Sequence, residues 1–123
     1  AQKACRILRG LRDEGIDITI VLWAITRDLR ILMKGSETIS ARKNIDSALQ
    51  KLGVWEKRKS LIKRTIERIS IKQLQQMLKL SGGIDRAIKG VRLGSPWDEL
   101  TTLTLMLCSV RSINAKNLRL LLQ

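Results

Sequence analysis

Apolar residues fall at steps of three and four along nearly the whole 123-residue chain, a spacing that suits helices and little else. It is strongest where Ile18, Leu22, Ile25, Leu29 and Leu32 recur along one face and Val21, Ala24 and Asp28 widen it. A helix apolar around most of its circumference belongs at the centre of a core. Asp17 stands where it can cap the start of this helix, and Gly35-Ser36 marks its expected end.

The rest of the chain follows the same period. Ala4, Ile7, Leu8 and Leu11 mark a first helix ending near Gly15. Ser36 to Ser40 reads as a polar joint, and Ile45, Ala48, Leu49 and Leu52 define a short helix closed by Gly53. Leu61, Ile62, Thr65, Ile66 and Ile69 continue with helical spacing. Ser70 and Gln73 spell a capping box before a longer helix through Leu74, Met77, Leu78, Ile84, Ala87 and Ile88, with a bend expected at Gly82-Gly83. Lys89 and Gly90 close it with a cation and a residue that accepts positive φ. Ser95 as cap, Pro96 at the first helical position and Asp98 open a further helix running to about Cys108. Residues 114–123 are again helix-like, and no segment alternates with period two between turn signals. The expected fold is all-α, a single compact bundle of six to seven helices over residues 1–123.

Composition excludes most chemistry. Histidine is absent, which removes the commonest general base and metal ligand together. Cys5 and Cys108 stand far apart in sequence, outside any zinc-ligand spacing, and read as reduced thiols of a cytoplasmic protein. No Gly-rich phosphate cradle occurs, and the acidic pairs Asp13-Glu14 and Asp98-Glu99 fall at helix ends, where dipole and capping roles account for them. No catalytic residue, cofactor, metal or small-molecule substrate is expected. The longest apolar runs, Ile18–Ile25 and the region around Leu103–Cys108, are too short to span a bilayer, and charges throughout the first residues argue against a signal peptide. No membrane role is expected beyond weak adhesion to an anionic surface. The chain does not start with Met, and is expected to be a domain of something longer.

Charge offers the best lead. The net charge is +13, and residues 51–72, with eight basic and two acidic groups, carry nearly half of it. Lys57, Arg58, Lys59, Lys63, Arg64, Arg68 and Lys72 form a helical stripe that reads as a solvated or partner-facing surface, with salt-dependent phosphate contact as the alternative. Trp55 alone lies near that stripe, and it reads as core, so stacked bases have no evident platform. Trp23, Trp55 and Trp97 each stand near a helix start on an apolar face, as core anchors or, half-buried, as interface anchors. Arg27, Arg30, Arg86 and Lys89 are charges beside apolar positions, and together with Trp97 they are the candidate subunit-facing set.

Several segments resemble one family. They are Val21-Leu22-Trp23-Ala24-Ile25-Thr26-Arg27-Asp28-Leu29-Arg30, Val54-Trp55 followed by Lys57-Arg58-Lys59, Ile84-Asp85-Arg86-Ala87-Ile88-Lys89-Gly90, Pro96-Trp97-Asp98-Glu99-Leu100, and Leu103-Thr104-Leu105-Met106-Leu107-Cys108. In order and spacing, over roughly residues 5–110, they resemble the C-terminal helical domain of the delta subunit of the bacterial DNA polymerase III clamp loader. The resemblance implies a collar domain that joins counterparts from the gamma/tau and delta-prime subunits. It also implies two preceding domains of the AAA+ kind, which bind and open the sliding clamp, so that clamp and primed DNA are reached only through those domains or the whole complex. Asp28 stands where the family more often carries Glu, a carboxylate that the resemblance pairs with an Arg. A stand-alone nucleic-acid-binding module using the Lys57–Lys72 surface is the rival expectation.

Overall fold

A computed structural model of the chain describes residues 2–109. The helical reading of 114–123 lies outside the described residues. Six helices follow one another: α1 Gln2–Asp13, α2 Ile18–Ser40, α3 Ile45–Lys51, α4 Glu56–Arg68, α5 Ile71–Ile88 and α6 Pro96–Cys108. Among the described residues there is no strand. As the spacing predicts, α2 is central and packs against α3, α4, α5 and α6, while α1 lies on α6.

The core is aliphatic. Ile25, Leu29, Leu49, Leu74, Leu100 and Leu103 are fully enclosed, and Met77, Ile84 and Leu107 join them from α5 and α6. Two threonines sit among these apolar neighbours without stranding a hydroxyl. Thr65 donates to the Leu61 carbonyl at 2.8 Å and Thr104 to the Leu100 carbonyl at 2.9 Å.

Helix ends explain where expectation and structure part. Asp17 caps α2 by accepting from the Thr19 N–H at 2.9 Å, and Ser70 and Gln73 form the reciprocal capping box on α5 at 3.0 and 2.8 Å. α2 does not stop at Gly35-Ser36, however. It continues to Ser40, and Gly35, Ser36 and Thr38 are buried in its last turns. The glycine is there for packing: a Cβ at position 35 would run into the end of Ile66 from α4 and lie 3.3 Å from Ile45 Cδ1. The real stop is at Arg42, which takes a left-handed φ of 57°. The Arg42 N–H donates to the Ile39 carbonyl and the Lys43 N–H to the Thr38 carbonyl, closing the helix as a glycine usually does. Gly90 closes α5 in the expected way, with the Val91 N–H reaching back to the Arg86 carbonyl at 3.0 Å.

α5 is one continuous helix through Gly82-Gly83. Arg92 lies against Gly83: its Nε donates to the Gly83 carbonyl at 3.2 Å and its guanidinium pairs with Glu99. Ser95 occupies the cap position of α6 with Pro96 directly after it, but its hydroxyl donates to the Asp98 carboxylate at 2.8 Å rather than accepting a helix N–H. A carboxylate one turn away is the stronger acceptor, and it holds the hydroxyl's proton.

Candidate interface cleft

Four residues of α2 at helical spacing, Ile20, Trp23, Arg27 and Arg30, face outward along a single exposed stripe. Beside it lies a cleft of about 750 Å³ between α2 and α5, with Trp23, Arg27, Arg30 and Lys89 on its rim and Ser81 and Gly82 on its α5 wall. Thr26 and Ser81 are hydrogen-bonded across that wall. A second cleft of about 460 Å³ adjoins it and shares Arg27, Ile31 and Leu52 with the first; Gly53, Trp55, Glu56, Lys57 and Arg58 complete it. Together the two make a continuous groove with an aliphatic floor, two indole walls and a cationic edge.

The tryptophans are the main departure from sequence expectation. Trp23 is 65 % exposed and Trp55 71 % exposed, so neither is a core anchor. Trp23 stands one position from buried Leu22, and one step around a helix suffices to turn a side chain outward. Its membership of a stripe with Arg27 and Arg30 was the signal that could have revealed this. Trp55 precedes the first residue of α4, in the cap position, where neither the helix period nor a packed neighbour claims its ring. Trp97 does pack against the core, half-buried, with the Arg12 guanidinium 5.9 Å above its ring.

The candidate subunit-facing set therefore divides. Arg27, Arg30 and Lys89 share the first cleft, and Lys89 also holds Asp85 at 2.8 Å. Arg86 opens instead onto a separate groove with Lys79, Leu80, Arg92 and Met106. Trp97 belongs to the contact between α1 and α6.

The basic stripe divides too. Lys57, Arg64, Arg68 and Lys72 are exposed. Lys59 is only 7 % exposed and reaches Glu56 at 2.7 Å, while Lys63 lies 2.5 Å from Asp46. The Lys63 bond holds the Asp46 carboxyl below its ordinary value. Arg58 turns inward to Asp28, Nη2 to Oδ1 at 2.6 Å. Burial pushes the Asp28 carboxyl above its ordinary value, against the opposing pull of the Arg58 bond and the nearby Arg27. The charge count of this segment thus overstates the free positive surface, because helix α4 spends part of it on internal pairing.

Fold and groove define a class: an all-α domain with an exposed groove edged by aromatic and cationic side chains. Among the described residues no helix is long and apolar enough to cross a membrane. Residues 1–114 match the sequence family described as the processivity clamp loader gamma complex DNA pol III C-term, and the chain belongs to that family, a family of DNA replication. It is 31 % identical to DNA polymerase III subunit delta of Escherichia coli (strain K12) over 108 residues, which cover 88 % of this chain and 31 % of the relative. It is 25 % identical to DNA polymerase III subunit delta of Haemophilus influenzae over 116 residues, 88 % of this chain and 34 % of that relative. The chain spans about a third of the length of these curated relatives. No solved structure matches it.

Proposed function

We propose that this chain is the C-terminal oligomerisation domain of a clamp-loader delta subunit. It acts in the cytoplasm by packing with its gamma/tau and delta-prime counterparts into a collar, so that the assembled complex can load the sliding clamp onto primed DNA. Residues 1–123 act as one domain in this role, and clamp opening belongs to domains outside it. The observation that carries the proposal is the groove: two exposed tryptophans flank Arg27 over an aliphatic floor. An apolar centre with buried aromatic anchors and a charged rim is the build of a protein interface.

The test is co-elution of this chain with the C-terminal domains of gamma/tau and delta-prime in moderate salt. A stoichiometric complex that W23A or W55A weakens by tenfold or more, an effect of about 1.4 kcal/mol, supports the groove as the contact. A complex indifferent to both substitutions would place the contact elsewhere.

A second reading is favoured by one specific observation, the exposed Trp55 ring beside Lys57 and Arg27. Such a ring offers a stacking platform for a base, with cations beside it for the phosphates. On this reading the groove meets the single strand of primed DNA. Binding to a primed template would then weaken steeply with salt and fall with W55A, whereas contact through the exposed Lys57, Arg64, Arg68 and Lys72 alone would show the salt slope without the tryptophan effect.

A further inference from the structure

Beneath the groove lies a buried carboxylate that the contact surface itself does not use. Asp28 is 1 % exposed, on α2, one residue beyond Arg27. Its Oδ1 accepts the Arg58 bond at 2.6 Å, and Arg27 Nε stands 4.0 Å from the same oxygen. Its Oδ2 and the Arg58 Nε are both enclosed without a hydrogen-bond partner. A carboxylate and a guanidinium can form two parallel bonds, yet this pair forms one. Removing both ions from water for a single bond adds little to stability and can subtract from it.

What the bond does supply is direction. The Arg58 N–H donates to the Trp55 carbonyl at 2.9 Å, and the Lys59 N–H to the same oxygen at 3.1 Å. No side chain caps this end of α4, so the Trp55 backbone depends on that first turn. On its other side Val54 is buried, and its N–H donates to the Leu49 carbonyl at 3.0 Å. Trp55 is thus held from behind by Val54 and from ahead by Arg58, while its ring projects into the groove.

We propose that the Asp28–Arg58 pair is a positioning device that sets the Trp55 ring, with Arg27 beside it, at the mouth of the groove. Arg58 is then a positioning residue acting through Trp55, its guanidinium engaged by Asp28 at the edge of the groove. This rests on the groove being the contact surface, and the test separates the two claims.

The probe is the indole N–H of Trp55, read in the 123-residue chain by its heteronuclear NOE, with the Trp23 and Trp97 indoles as internal references. The informative variant is D28L/R58M, because an apolar pair of similar volume commonly keeps or raises stability when it replaces a buried ion pair. Positioning predicts that the variant keeps its helices and its melting temperature while the Trp55 NOE falls and that of Trp97 does not. D28E, which keeps the carboxylate facing Arg58, should leave the Trp55 NOE near its wild-type value. An unchanged Trp55 NOE in folded D28L/R58M would overturn the proposal. So would loss of the helices, since the pair would then serve folding itself. W55A addresses the groove separately: wild-type binding by W55A to both sibling domains and primed DNA would defeat the contact reading, and the NOE would still decide whether the pair orients the ring.

Discussion

Replacing Gly35 with Ala should destabilise this domain, although the same change in an open helix would stabilise it. In a helix interior Ala is favoured over Gly by about 1 kcal/mol. Position 35 is not open: the new Cβ would overlap Ile66 Cδ1 and press on Ile45 Cδ1 at 3.3 Å, whereas Ile66 Cγ1 would lie at an ordinary 3.6 Å. Overpacking of this kind costs about 1–3 kcal/mol, so the net effect of G35A should be a loss of up to about 2 kcal/mol. The offending atom is one terminal methyl. Ile66→Val removes it, and alone should cost about 0.5–1.5 kcal/mol through the space it leaves. In G35A/I66V the alanine methyl occupies that space, so the double variant should be at least as stable as I66V alone. Urea unfolding followed by far-UV circular dichroism gives all four corners of the cycle, and the coupling should reach about 1–3 kcal/mol. Additivity within about 0.5 kcal/mol would refute the close approach of α2 and α4 that lets α2 run on to Ser40.

Three further outcomes follow from the same packing. Asp28 binds its proton more tightly folded than unfolded, so its contribution to stability is complete below the ordinary carboxylate range and is lost as pH rises through its raised folded value. The stability of the wild type relative to D28N should therefore improve on acidification, as urea midpoints stepped from neutral into acid would show; a difference flat with pH would contradict the raised value. Ser70→Ala removes the hydroxyl that accepts from the Gln73 N–H, leaving only the backbone half of the capping box on α5, and should cost about 1 kcal/mol in thermal or urea unfolding, whereas an unchanged midpoint would mean the hydroxyl adds nothing. Acrylamide should quench the fluorescence of W97F, which retains Trp23 and Trp55, far more than that of W23F/W55F, which retains only Trp97; equal quenching would contradict the exposure of the groove.

The period of three and four was enough to read the helices, because it is a property of the backbone that each residue shares with its near neighbours. The capping box at Ser70, the Gly90 closure and the central place of α2 were legible for the same reason: their partners lie within a turn or along one face. Gly35 misled because a glycine can end a helix or admit a neighbour into its side, and only Ile66, thirty-one positions away, tells the two apart. Arg42 was invisible as a stop, since an arginine rarely adopts the left-handed conformation that the closure demands.

The candidate site was legible in its ingredients and not in its arrangement. Arg27, Arg30 and Lys89 stand out in the sequence by their setting beside apolar residues, and the fold brings these three into one cleft while sending Arg86 and Trp97 elsewhere. In the basic segment the charges could be counted, but Arg58 and Lys57, adjacent in sequence, have opposite fates: one meets a carboxylate inside and the other faces water.

By itself, the order of residues determined that this chain is helical and that Asp17, Ser70 and Gly90 mark helix ends, since local hydrogen bonding and periodicity reside in neighbouring positions. Only the packed structure decided that Trp23 and Trp55 face outward, that Asp28 holds Arg58 beneath them, and that a groove exists at all. Burial is conferred by whatever lies opposite a side chain, and what lies opposite comes from distant parts of the chain.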